Sequence, residues 1–413
     1  MTKVFCIVLV SLFFCKRLAY SQESMFLALI DSFAFDSIKG YPAHQGNSYF
    51  FYDWVTGRFS AFSKQDNQEV VALTFDSLYD HHLRYYHYGD IVHRLSDRYM
   101  LIRSTGTHFD FFDLNGKFLH SKRIDQTFEG RKRYINEDNI PKNVLVSSDG
   151  KSFFLRVANW PTKPKGEKNY VLRQRKNLKT VGIVAQYNLD GEIINLFGQY
   201  DTVYWNEERI TDYYNYTVSI SSKNEVFLSC ELADQVSVYV QGNLVRSVGQ
   251  RGRYINKDLS EINFSTTKQD WFFNKVTSNI ETPFYFDCQI VDDRYLVRTY
   301  TAASKDTVHF TKNELETRRK WVSGQLKGCL LKTQNDLNQR RIYRDKQCFV
   351  QIFDLQSGDK CLYDGPIDIR FPLCLGMRNG NEFIFTSYLR PEKEQPQKQV
   401  LYYYQLKPYK DAR

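Results

Sequence analysis

Six polar turns of one kind, each just ahead of a short hydrophobic run, constrain this chain more than any other feature of its sequence. They are Gln45-Gly-Asn47 before Tyr49-Phe-Phe51, Ser96-Asp-Arg98 before Tyr99-Met-Leu-Ile102, and Ser148-Asp-Gly150 before Phe153-Phe-Leu155. The other three are Ser222-Lys-Asn224 before Val226-Phe-Leu228, Asp292-Asp-Arg294 before Tyr295-Leu-Val297, and Arg378-Asn-Gly380 before Phe383-Ile-Phe385. Asn, Asp and Gly supply the positive φ that tight hairpins need. A second turn follows the next strand in most units, as in Asp113-Leu-Asn-Gly116, Asn188-Leu-Asp-Gly191, Gln241-Gly242 and Asp354-Leu-Gln-Ser-Gly358. Each unit therefore reads as four strands, a to d, each beside its sequence neighbour. Unit two gives a around Ile91-Val92, b over 99–103, c over 107–112 and d over 117–123; unit four gives 216–220, 225–230, 235–240 and 243–248. Four-stranded meanders repeated around an axis make a β-propeller, which leaves only short protected edges.

The expected fold is thus all-β, a six-bladed propeller filling residues 22–413 as one domain. The 29 Tyr and 31 Phe suit pleated, half-buried surfaces and point the same way. Unit six offers only three strands after residue 370, ending with Val400-Leu-Tyr-Tyr-Tyr404, while Met25-Phe-Leu-Ala-Leu-Ile30 has no neighbour to pair with. That N-terminal strand is expected to supply the missing outer strand and close the ring.

Two b–c connections are interrupted by basic inserts. Residues 158–179 carry Lys163, Lys165, Lys168, Arg173, Arg175, Lys176 and Lys179 against Glu167 alone. Residues 301–346 in blade five carry eleven Lys/Arg against five Asp/Glu. There the capping box Thr311-Lys-Asn-Glu314 predicts a short helix to about Val322, stopped near Gly324. The chain's net charge of +9 therefore resides in these loops. Connections b–c and d–a leave a propeller on one face, so both inserts share it.

That face also carries a repeat. Arg131-Lys-Arg-Tyr-Ile-Asn-Glu-Asp138 recurs as Arg251-Gly-Arg-Tyr-Ile-Asn-Lys-Asp258, with an abbreviated copy at Phe197-Gly-Gln-Tyr200. One local shape used twice, as a blade-to-blade connector, is the expectation. Tyr, Ile and Asn would plug and cap. Arg131, Arg133, Arg251 and Arg253, with Tyr134 and Tyr254, would line a rim for an anionic glycan or an acidic protein patch. Guanidinium forks suit carboxylate and sulfate, and tyrosine rings stack on sugars. The plainer alternative is a set of solvated loops.

Met1-Thr-Lys3 and the apolar run Val4 to Cys15 form a secretory leader, 1–21, ending at Ala19-Tyr-Ser21. A second ending puts a lipid on Cys15, although Phe14 suits that poorly. Export makes nucleic acid an unsuitable partner and leaves the membrane reachable only through such an anchor; a monomer is expected. Of the six cysteines beyond the leader, Cys348 and Cys361 flank the Asp354–Gly358 turn and could face each other, the alternative being buried apolar thiols. There is no Cys-x-x-Cys.

His81, His82, His87 and His93, with Asp80 and Asp90, are the densest titratable cluster and could hold a divalent metal at the axis, though their spacings match no fixed motif. No other cofactor is indicated. Glu207, Glu208, Asp212 and Asp287 are carboxylates that the sequence cannot place relative to one another. No Walker loop, Gly-x-Ser-x-Gly elbow or His-Glu-x-x-His occurs.

The leader, the six units and the loops Val248-Gly-Gln-Arg-Gly252 and Phe197-Gly-Gln199 resemble the uncharacterised exported six-bladed propeller proteins and lipoproteins of Bacteroidetes, a TolB-like domain of unknown function. Arg253 and Tyr254 depart from those loops, which usually hold more glycine and a proline. The resemblance implies fold and export to the periplasm or outer-membrane surface, and carries over no site. The expected function is an exported binding or scaffolding module of the bacterial envelope. The runner-up is a metal-dependent hydrolase or lactonase at the propeller axis.

Overall fold

The computed structural model describes residues 25–35, 43–53, 57–75, 91–102, 108–125, 127–128, 131–135, 144–159, 182–204, 216–255, 283–302, 347–387 and 399–408. The leader expected at 1–21, residues 80–90, the basic run 160–181 and the insert 303–346 lie outside them, and with the last the helix expected from Thr311.

The described residues form six antiparallel sheets in chain order. The chain enters on β1 (Met25–Phe35), which joins the last of them. Blade one is β2 (Ala43–Gln45), β3 (Ser48–Asp53), β4 (Arg58–Ser63) and β5 (Glu69–Thr74); blade two is β6 (Ile91–Arg94), β7 (Tyr99–Ile102), β8 (His108–Phe112) and β9 (Phe118–Arg123). Blade three contains β10 (Thr127–Phe128), β11 (Arg131–Ile135), β12 (Val144–Val146), β13 (Ser152–Asn159), β14 (Val184–Asn188) and β15 (Ile193–Phe197). Blade four is β16 (Tyr216–Ile220), β17 (Val226–Cys230), β18 (Val236–Val240) and β19 (Asn243–Val248). Blade five is β20 (Tyr285–Val291), β21 (Tyr295–Thr301), β22 (Cys348–Asp354) and β23 (Lys360–Pro366). Blade six is β24 (Pro372–Arg378), β25 (Glu382–Ser387) and β26 (Gln399–Pro408), with β1 antiparallel to β26 from Met25 opposite Pro408 to Phe35 opposite Gln399.

Burial follows position in the blade. Strands β17 and β22 are buried along their whole length, because neighbouring blades cover both of their faces. The outer strands β5 and β9 alternate between exposed and half-buried residues, as strands with one wet face do. The core is a set of seams between blades rather than one centre. Phe59, Phe75, Tyr99 and Phe112 fill the seam of blades one and two, with Phe75 and Phe112 at 4.4 Å. Phe109 and Phe153 meet at 5.1 Å between blades two and three. Phe227, Val238, Ile290 and Leu296 fill the seam of blades four and five. Tyr49, Phe51 and Phe62 of blade one pack on Leu375, Leu401 and Tyr403 of blade six, with Phe35 among them.

The a–b turns also lock blade to blade on the face opposite the b–c loops. Gln45 exchanges two hydrogen bonds with the backbone of Arg94, at 2.7 and 3.1 Å. Asn224, at φ +60°, accepts from the Ser148 N–H at 2.8 Å, and Asp293, at φ +53°, accepts from the Ser222 N–H at 2.8 Å. The polar turn residues therefore serve twice, once for backbone conformation and once as the bond to the next blade. Cys348 and Cys361 do not face each other. Cys361 lies opposite Phe353, Cys348 lies at the other end of β22, and the two form no disulfide.

Lys64, beyond β4, is buried at the seam of blades one and six, its amine against Gly376. Burial pushes that amine down to about 8, against the opposing pull of Cys374 and Asp292. Below about pH 8 both the folded and unfolded chains hold the proton, and the fold carries the full desolvation cost. Between there and the unfolded lysine value near 10.5 only the unfolded chain holds it, so the Lys64 contribution to stability rises with pH. Lys64→Met is expected to stabilise the protein at neutral pH by on the order of 2 kcal/mol and to flatten the rise. Urea unfolding of the two proteins from about pH 7.5 to 9.5 checks both expectations through the difference between them, in which the cysteines that ionise in the unfolded chain over this range cancel.

Candidate functional site

After β19 the described part of the second copy, Arg251–Ile255, folds over the b–c end of blade five, and each backbone N–H from Gly252 to Ile255 has a partner. Gly252 N–H donates to the Tyr285 hydroxyl at 2.8 Å, Arg253 N–H to Asp364 Oδ2 at 2.9 Å, and Tyr254 N–H to the Tyr300 hydroxyl at 3.3 Å. The Tyr254 ring stacks on Phe349 at 4.3 Å and 17°. A β-carbon on Gly252 would lie 2.6 Å from the Tyr300 ring, so only glycine allows this approach. Asp364 is the hub: it also accepts from the Tyr300 hydroxyl at 2.6 Å and from Gln351 Nε2 at 3.0 Å. Burial first, and then the Asp364 carboxylate, raise the Tyr300 hydroxyl far above the ordinary phenol range, so it stays a donor.

Beneath the loop lies Arg298, fully buried. It donates to Ser229 Oγ at 3.0 Å, to the Asp234 carbonyl at 2.8 Å and to the Ala233 carbonyl, and lies 3.2 Å from the Tyr285 ring centroid. It ties the b–c turn of blade four to blade five. Above it, the Arg251 and Arg253 side chains are exposed. Arg251 Nε donates to the Ile255 carbonyl at 3.3 Å, and the Arg253 guanidinium lies 5.9 Å from the Tyr254 ring centroid.

The first copy does not repeat this shape. Arg131–Ile135 is β11, paired with the end of β13 (Arg133 opposite Asn159, Ile135 opposite Val157) and with β10. Beyond it β12 pairs with the first half of β13 in the same direction, so β11 and β12 together act as the inner strand of blade three. The expected common connector is thus a strand in one copy and a turn in the other. The side chains of Arg131, Arg133 and Tyr134 lie outside the described residues.

His81, His82 and His87 also lie outside them, as do Glu207, Glu208 and Asp212. His93 is buried on β6 opposite Met100, and no group of three metal-binding side chains occurs among the described residues. Asp287 has a structural role: its carboxylate accepts from Cys374 N–H of blade six at 2.9 Å and from Cys288 N–H at 2.9 Å. Sequence reasoning missed Asp364, Tyr300, Gln351 and Arg298. The available signal was polar residues in otherwise buried strands, where such groups need partners.

Cavities open on both faces among the described residues. One, of about 380 Å³, lies at the a–b turns between Gln45, Arg94 and Ser148, whose polar groups are already bound to neighbouring blades. The other, of about 550 Å³, opens on the loop face between blades five and six, beside the end of β23.

These features define a six-bladed propeller protein with a preorganised arginine-bearing loop face. In fold it is similar to a member of the DUF4221 family from Bacteroides vulgatus, with a TM-score of 0.62 at 13% identity, over 94% of this chain and 100% of that one. A protein of Bacteroides fragilis described as exported aligns at a TM-score of 0.48 and 11% identity, over 94% of this chain and 96% of its own. No family model and no curated protein matches the sequence.

Proposed function

We propose that this chain is an exported binding module of a bacterial envelope whose loop face holds an anionic glycan. One observation carries this reading. The backbone and the tyrosine of the Arg251–Ile255 loop are consumed by architecture, yet both guanidinium groups stand exposed on that fixed frame. A cation whose backbone is already ordered loses less freedom on binding, which favours affinity. The basic and apolar N-terminal run supports export, either with release after Ser21 or with cleavage ahead of a lipid-bearing Cys15.

The test is binding of polygalacturonate to the wild type and to the double variant R251E/R253E, at low and high salt. Loss of about 100-fold is expected, equal to two charge-assisted contacts, together with a weaker salt dependence. Unchanged affinity in the double variant would overturn the reading.

A further inference from the structure

The cavity between blades five and six has walls of mixed chemistry. Cys348, Pro366 and Ile367 form an apolar part, Tyr402 adds an aromatic ring, and Asp368 and Arg370 stand exposed on the wall. At about 550 Å³ it falls within the ~300–1,000 Å³ typical of ligand pockets. Among the described residues Arg370 makes no ion pair.

The backbone next to Arg370 is strained. Phe371 has φ +47°, a left-handed conformation that a bulky side chain adopts at a cost in energy. It is held there by several contacts: its N–H donates to Cys348 Sγ at 3.2 Å, its ring packs 5.0 Å from Phe286, and it is buried. The Ser387 hydroxyl fixes the Arg370 carbonyl at 2.7 Å. Such strain, over-determined by its surroundings, clusters at ligand clamps, and here it sets the segment that carries Asp368 and Arg370 along the pocket wall.

We propose that this cavity is a subsite for one hexuronate residue of the glycan, an inference that rests on the loop-face reading above. The sugar carboxylate pairs with the Arg370 guanidinium, which accommodates a planar anion through two parallel N–H donors. Asp368 accepts from ring hydroxyls, and Tyr402 offers its ring to the pyranose face. A neutral hexose would leave Arg370 unused, which is why the acid is favoured.

Calorimetric titration with trigalacturonate, and with its neutral galactose counterpart, tests the proposal on the wild type, R370Q and R251E/R253E. Arg370 is exposed, so R370Q is expected to melt at the wild-type temperature while binding trigalacturonate about 30-fold more weakly. The neutral trimer should bind weakly to all three proteins. Equal binding of the two trimers, or wild-type affinity in R370Q, overturns the subsite. If R370Q binds normally while R251E/R253E fails, the subsite falls and the loop-face reading stands. If R370Q fails while R251E/R253E binds normally, the reverse holds. Absence of trigalacturonate binding to the wild type overturns the subsite, and the loop face is then judged on the polymer alone.

Discussion

Replacing Arg298 with alanine is expected to lower the stability of the propeller by about 3–5 kcal/mol, within the range for breaking a buried charged network. The guanidinium is fully buried and its donors reach Ser229 Oγ and the carbonyls of Cys230, Ala233 and Asp234. Alanine takes their donor from the Ala233 and Asp234 carbonyls and removes the cation from the face of Tyr285. Arg298→Met restores volume but no hydrogen bonds, so it should recover only the packing part of the loss. The substitution should also loosen the Arg251–Ile255 loop, because Tyr285 is what Gly252 donates to. Urea unfolding measures the first effect and amide exchange at Gly252 the second. A loss below about 1 kcal/mol in Arg298→Ala would contradict this account.

Phe35→Ala is expected to cost a similar amount, about 3–5 kcal/mol, through a different mechanism. Phe35 ends β1 and its ring lies 4.7 Å from Phe62, 5.1 Å from Phe51 and 6.2 Å from Tyr49, all in blade one. β1 is hydrogen-bonded to β26 of blade six. The ring therefore spans the seam between the last blade and the first, and alanine leaves a cavity lined by three aromatic walls that cannot collapse without moving two sheets. Phe35→Leu should recover more than half of the loss, since it refills most of the volume. Thermal and urea unfolding check both variants; a Phe35→Ala protein as stable as the wild type would show that the seam relaxes freely.

The blades were legible in the sequence because each hairpin is local: the turn residue that needs positive φ and the strands it joins are neighbours in the chain. Asn224, Asp293 and Gly380 all adopt the conformations their turns require. The repeat misled for a non-local reason. Its second position is Lys132 in one copy and Gly252 in the other. At Gly252 the chain comes so close to the Tyr300 ring that a β-carbon would collide, which lets this copy turn over blade five. Lys132 cannot make that approach, and the first copy instead pairs with the end of β13. The wording was shared, but the partners decided the shape.

The site was less legible than the fold. Arg251 and Arg253 were visible as repeated cations, but the residues that fix them come from distant strands: Tyr285 and Tyr300 from the first half of blade five, Asp364 from its outer strand. The cavity beside them joins Arg370 to Cys348 and Tyr402 across two blades, and no spacing in one chain segment reports such a convergence.

The central claim is that one face of the ring, the loop face, takes the ligand. Hydroxyl-radical footprinting of the full chain with and without polygalacturonate tests it most directly, since both faces carry oxidisable side chains. The account predicts protection of Tyr254 and Tyr402, with the solvent-accessible His44 and Arg94 and the a–b turns around Gln45 and Ser148 unchanged. Protection confined to those a–b turns, with Tyr254 and Tyr402 oxidised as in the free protein, would contradict it.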